Sequence, residues 1–133
     1  MTALTQAINV PRRDAVDFVF PVGEGVWIHA GALVAINATG YAVPGVTGTG
    51  LQGVGIAQAS ADNRTGEDGD ITIKVRRGCF ALDNSDGGGA ITLANVGKAC
   101  YIVDDQTVTL TASGKSPAGI VRDVNVNGVW VEF

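Results

Sequence analysis

The sequence predicts an all-β fold: a small single-domain β-barrel or sandwich of short antiparallel strands, preceded by an N-terminal arm. Three observations lead there. Short apolar runs recur at a spacing of roughly eight to twelve residues with turn residues between them. Nineteen of the 133 residues are glycine, well above the usual share of ~7%, which suits tight turns better than helices. Finally, Asn127-Gly128 lies between two alternating apolar runs that end in Trp130-Val131-Glu132-Phe133. Asn-Gly in that setting is the strongest short-range hairpin signal, because both central residues of a type I′ turn must tolerate φ > 0.

Residues 1–15 have no sustained period and contain Pro11-Arg12-Arg13-Asp14, so they read as an arm, partly ordered at best when the protein is alone. Residues 16–133 form the domain. Val16 to Val22 opens it as a strand, and Gly23-Glu24-Gly25 turns it. Val26–Ala30 and Leu33–Ile36 are short strands around Gly31; Asn37–Gly40 is a turn leading to Tyr41-Ala42-Val43. Gly45–Gly50 reads as a flexible loop, Val54–Ala59 as a strand, and Ala61–Gly69 as a polar loop. Next comes the clearest alternation, with Ile71, Ile73 and Val75 inward and Thr72, Lys74 and Arg76 outward. Gly78 interrupts it, and the change of apolar parity at Cys79-Phe80 suggests a bulge.

Asp83–Gly89 reads as a turn region, and Thr92–Val96 as the one short helical piece, with Thr92 as N-cap and Gly97 at C′. Cys100–Val103 and Thr107–Leu110 flank Asp104-Asp105-Gln106 as a hairpin. Ala112–Pro117 is a loop, and Ala118–Phe133 supplies the last hairpin. With Val126 opposite Val129, that hairpin would bury Val124, Val126, Val129, Val131 and Phe133 on one face. A faint internal repeat also runs through the chain. Gly31 through Tyr41-Ala42-Val43 to Gly55-Ile56-Ala57 parallels Gly97 through Val108 to Gly119-Ile120-Val121, suggesting two related halves of one barrel.

Composition excludes several classes. A hydrophobic share of 46% is too high for a disordered chain. No run approaches the ~18 apolar residues of a membrane span, so no membrane partner is expected. A net charge of −4 opposes general nucleic-acid binding, which needs a basic face to displace counterions. Met1–Gln6 lacks the basic and apolar regions of a secretory signal, so a soluble protein made in a cytoplasm is expected. Cys79 and Cys100 both sit in strand-like apolar surroundings and read as free buried thiols.

Reactive chemistry is sparse. Gly48-Thr49-Gly50-Leu51-Gln52-Gly53 has the spacing of a dinucleotide fingerprint, with Asp70 further on. It leads into a strand, however, whereas the pyrophosphate needs a helix N-terminus, so no cofactor is expected. Asp83-Asn84-Ser85-Asp86-Gly87 resembles a calcium loop but has Ala94 where the closing Glu belongs. Asp62, Glu67, Asp68 and Asp70 read as a solvated turn, so no metal is expected. His29, the sole imidazole, has no nucleophile-elbow sequence or ligand spacing to support it, so no catalytic residue is assigned and the chain is read as a non-enzyme. The candidate docking residues are basic: Arg12 and Arg13 in the arm, and Lys74, Arg76 and Arg77 along one strand. Arginine forks there could orient on carboxylates of a partner.

The stretch Gly97-Lys98-Ala99-Cys100-Tyr101-Ile102-Val103-Asp104-Asp105, with Pro117-Ala118-Gly119-Ile120-Val121 and the terminal Gly128–Phe133, resembles small capsid decoration, or cement, proteins of tailed bacteriophages. Gly55-Ile56-Ala57, Ile71–Val75 and Gly78–Leu82 fit the same pattern, so the likeness covers most of the chain after about Val16. It implies a β-fold on the outer capsid surface of a virion that bridges major capsid protein subunits and stabilises the shell. It also implies a homo-oligomer, a trimer before a dimer, and no catalytic residues. A tail or baseplate component, and a carbohydrate-binding β-module using Trp27, Tyr41, Tyr101 and Trp130 as a stacking platform, are the alternatives.

Overall fold

The computed structural model describes residues 2–133 and is all-β. In chain order the first strands are β1 (Asp17–Pro21), β2 (Trp27–Ile28), β3 (Leu33–Ile36), β4 (Ala42–Pro44), β5 (Gln52–Ala57) and β6 (Ala61–Asp62). They are followed by β7 (Thr72–Arg76), β8 (Cys79–Asn84), β9 (Ala99–Ile102), β10 (Thr107–Thr109), β11 (Pro117–Asn125) and β12 (Gly128–Glu132). Single 3₁₀ turns at Gly87–Gly89 and Leu93–Asn95 are the helical pieces among the described residues. The second falls within the expected Thr92–Val96 segment, where the Asn95 side chain accepts the Thr92 backbone N–H at 2.8 Å.

The faint repeat in the sequence is a duplicated architecture in space. One sheet runs β1-β7-β5-β3-β4; the other runs β8-β12-β11-β9-β10 and closes into a barrel through the parallel pairing of β10 with β8. The first sheet has the same ends joined by one parallel bridge, Val22 with Ala42, where the second pairs Asn84 with Val108. Equivalent backbone bonds recur. The Gly31 N–H donates to Ala57 O at 2.9 Å and the Gly97 N–H to Val121 O at 2.8 Å. The Arg77 N–H donates to Val16 O at 2.7 Å and the Phe133 N–H to Gly78 O at 2.9 Å. The expectation of two halves of one barrel is therefore corrected: each half forms its own five-stranded unit.

The copies share even their irregularity. Between β3 and β5 the register slips so that Val54 is the extra residue; between β9 and β11 it slips so that Ala118 is. A glycine follows each bulge, Gly55 and Gly119, because a Cβ there would run into the carbonyls of Arg76 and Glu132 respectively. Gly78 is not a bulge: β7 ends at Arg76 and β8 begins at Cys79 in the other sheet, so Gly78 lies in the crossover between units. The parity change at Phe80 reflects that change of sheet.

The last hairpin forms one residue out of the expected register. Asn125 pairs with Gly128, Val124 with Val129 and Asp123 with Trp130, leaving Val126-Asn127 as the loop. Among the described residues no non-glycine has positive φ, so the turn is not type I′. Val126, expected inside, is 99% exposed. The cause is local: the Asn125 Oδ1 accepts both the Asn127 N–H at 2.9 Å and the Trp130 Nε1–H at 3.0 Å, an Asx turn that fixes the loop. A bulge between Val121 and Asp123 then brings Val121 opposite Val131 and restores the buried face.

Two cores result. Val22, Ile28, Val34, Ala57, Ile73 and Val75 fill the first unit; Leu82, Ile91, Cys100, Ile102, Val108, Val121, Val129 and Val131 fill the second. Alternation along β3 splits its side chains, since Val34 joins the first core while Leu33 and Ala35 join the second. β3 is thus buried on both faces and welds the units together. The Gly45–Gly50 segment is pinned, not flexible. Val46 bridges Asp104, the Thr47 Oγ1 donates to Val103 O at 2.7 Å, and the Ser116 Oγ donates to Gly48 O at 2.6 Å. Cys100 is buried as expected, but Cys79 is exposed.

Candidate docking surface

The five basic candidates do not form one patch. Alternation along β7 sends Lys74 and Arg76 to the outer face, where Asp17 of β1 stands opposite Arg76. The Arg76 Nε donates to Asp17 Oδ1 at 2.9 Å and its second nitrogen to Oδ2 at 3.3 Å, while Lys74 Nζ lies 3.7 Å from Oδ2. These contacts, led by the Arg76 hydrogen bonds, hold the Asp17 carboxyl below its ordinary value. One carboxylate thus contacts two cations and offsets the charge of one, so this part of the cluster has a partner inside the chain.

Arg77 is exposed and has no ion pair among the described residues. Together with Arg13 it borders a groove of about 470 Å³ at the junction of the two units. The groove is walled by Phe18 and Phe20 of β1, Val54 of β5 and the terminal Phe133. The Phe18 and Phe20 rings stack with centroids 6.2 Å apart, and the Arg13 guanidinium lies 4.6 Å from the Phe18 centroid. The β5 and β11 backbones meet beside it because Gly53 lacks a side chain; a Cβ there would come within 2.8 Å of Ala118 Cα. Glu132, on the same wall, is bonded to the Arg122 Nε at 2.7 Å. Arg12 sits with Arg13 and Asp14 around a smaller concavity in the arm.

Residues 2–15 of the arm belong to no strand and are exposed. Leu4, Ile8 and Val10 are 72%, 57% and 76% exposed.

The remaining polar motifs are used within the fold. Asp62 forks onto Arg64 at 2.9 and 2.8 Å, which pulls its carboxyl down to about 2. The Asp68 Oδ1 accepts the Glu24 N–H and the Asp70 Oδ2 accepts the Glu67 N–H, both at 2.8 Å, so the acidic loop is a set of turn locks. Buried Asn63 ties the same loop down by donating to Gly23 O at 2.8 Å and Glu67 O at 2.9 Å. Sequence reasoning passed over this residue; a lone Asn in a polar loop carries no distinguishing signal. Asn84, in the calcium-like segment, exchanges two 2.8 Å bonds with the Ile91 backbone. Among the described residues no three His, Cys, Asp or Glu side chains converge as a metal site would require.

Trp27 carries Arg64 on its ring at 3.9 Å and His29 tilted against it at 4.4 Å. Trp130 is tied to Asn125 in the other unit. Among the described residues no two of the four aromatics stack on each other: Trp27 lies on β2 and Tyr41 just before β4, whereas Tyr101 lies on β9 and Trp130 on β12. The glycine-rich Gly48–Gly53 loop enters β5, with no helix to receive a phosphate. No family model, no curated protein and no solved structure matches this chain.

Proposed function

We propose that this chain is a decoration protein of a tailed-bacteriophage head, binding the outer capsid surface and stabilising the shell by bridging major capsid protein subunits. The observation that carries this reading is the contrast between a doubly cored, cross-tied β body and an arm with Leu4, Ile8 and Val10 in solvent. A stiff body loses little entropy on docking. An extended arm with apolar side chains repays its ordering only against another protein. Both properties suit a protein that adds interface area across subunit boundaries, where a specific contact buries about 1,200–2,000 Å². The protein acts as a trimer, which multiplies each weak contact by avidity.

Mixing the purified protein with shells that lack it, then measuring co-sedimentation and heat release of the packaged contents, tests the reading. Bound protein with a raised release temperature supports it. Failure to bind any phage head, or labelling confined to the tail in electron micrographs, ends it. Light scattering that gives a monomer at every concentration removes the trimer alone.

A further inference from the structure

We infer that the groove at the junction of the two units receives an extended acidic segment of a protein partner, one apolar side chain seated among its rings and a flanking carboxylate held by Arg13 and Arg77. The argument starts from the groove's volume of about 470 Å³, within the ~300–1,000 Å³ range of sites that bury a ligand. Its walls, Phe18, Phe20, Val54 and Phe133, are apolar and come from both units. An apolar side chain entering there buries the face it turns to these walls, at about 25 cal/mol per Å².

Charge chooses the flanks. Arg13 and Arg77 border the groove with no carboxylate partner among the described residues. The acidic side chain on the wall, Glu132, is already held by Arg122. Two guanidinium forks without a carboxylate partner beside an apolar wall favour carboxylates, which accept bidentate bonds, over neutral or basic segments. The geometry is fixed from below: the Arg77 backbone bonds Val16, which anchors the arm three residues beyond Arg13. Lys74 and Arg76 cannot take this part, because Asp17 holds both on the outer face.

This inference rests on the reading that the protein docks on another protein, and it names the chemistry of the docked segment. The test titrates the full ¹⁵N-labelled chain with three capped pentapeptides: Glu-Glu-Phe-Glu-Glu, Glu-Glu-Ala-Glu-Glu and Lys-Lys-Phe-Lys-Lys. The first should shift the amides of Val54, Arg77, Gly119 and Phe133; the other two should bind at least tenfold more weakly. R77E and R13E, both surface changes, should each weaken the first peptide by at least tenfold.

Equal binding of the basic peptide, equal binding of the alanine peptide, or shifts centred on Lys74 and Arg76 would overturn the inference. So would shifts at the groove amides that grow with protein concentration and no peptide, since the occupant would then be a second copy. The two levels separate cleanly. Shells that bind the parent and R77E alike remove the groove and keep decoration, whereas peptide binding with no shell binding does the reverse.

Discussion

At Gly128 the backbone has φ +120°, and a Cβ would meet the Leu82 carbonyl oxygen head on, so the residue is set by two independent requirements. Gly128→Ala should cost about 2–4 kcal/mol in chemical denaturation. Gly25→Ala, at φ +71° with open space around it, pays only the left-handed backbone, about 1 kcal/mol. Equal costs would mean that β12 does not begin against Leu82. Cys100 offers a pH test. Burial lifts its thiol from 9.0 to about 11, and the protonated form donates an S–H bond to Gly119 O at 3.5 Å. The folded chain therefore holds that proton more tightly than the unfolded chain. The associated stability is present below pH 9 and is lost as pH rises towards 11, on the order of 2–3 kcal/mol. Cys100→Val should flatten that loss relative to the parent; parallel curves for the two proteins would contradict it. The sequence context could not separate Cys79 from Cys100, because both stand in apolar runs and only the pairing of β8 with β12 leaves the first in solvent.

Hairpin register separates what periodicity reveals from what it cannot. Alternation located β11 and β12, yet the loop lies one residue early because the Asn125 side chain, not an Asn-Gly turn, closes it. Val126→Asp should therefore change stability by less than about 0.5 kcal/mol. Val129→Ala, a truncation in the second core, should cost about 2 kcal/mol. A large loss from the first substitution would restore the register that alternation alone suggests. The repeat shows the same limit. Gly-Ile-apolar at Gly55 and Gly119 was visible as a pattern, since a glycine after a bulge is imposed locally. That each copy closes its own sheet was not visible, because the parallel Val22–Ala42 and Asn84–Val108 contacts join residues far apart in the chain. The basic strand cluster divides for an equally non-local reason. Asp17 pairs with Arg76 across 59 residues, and nothing in the run Lys74-Val75-Arg76-Arg77 announces it.

As a whole, the molecule joins two units that share a core across β3 to an arm that touches their junction through Arg13 and adds no strand. Leu33, Ala35 and Ile56 of the first unit complete the second core, so separating the chain at Gly78 should yield two pieces that fail to fold, as domains near 60 residues are marginal even with intact cores. A cooperative melt from either piece would show the weld at β3 to be dispensable. The arm obeys the opposite logic. Residues 2–14 supply no strand and none of the buried core side chains, so removing residues 1–14 should leave the unfolding free energy within about 0.5 kcal/mol of the parent. Docking should suffer far more, because Leu4, Ile8 and Val10 go with the arm, and so does the Arg13 guanidinium at the groove. If decoration relies on them, occupancy on shells should fall at least tenfold at equal protein concentration. If the protein docks as the proposed trimer, each protomer loses the same contact and the deficit should steepen as protein is diluted. Unchanged occupancy at every dilution would assign binding to the β body alone and leave the exposed apolar side chains of the arm without a role.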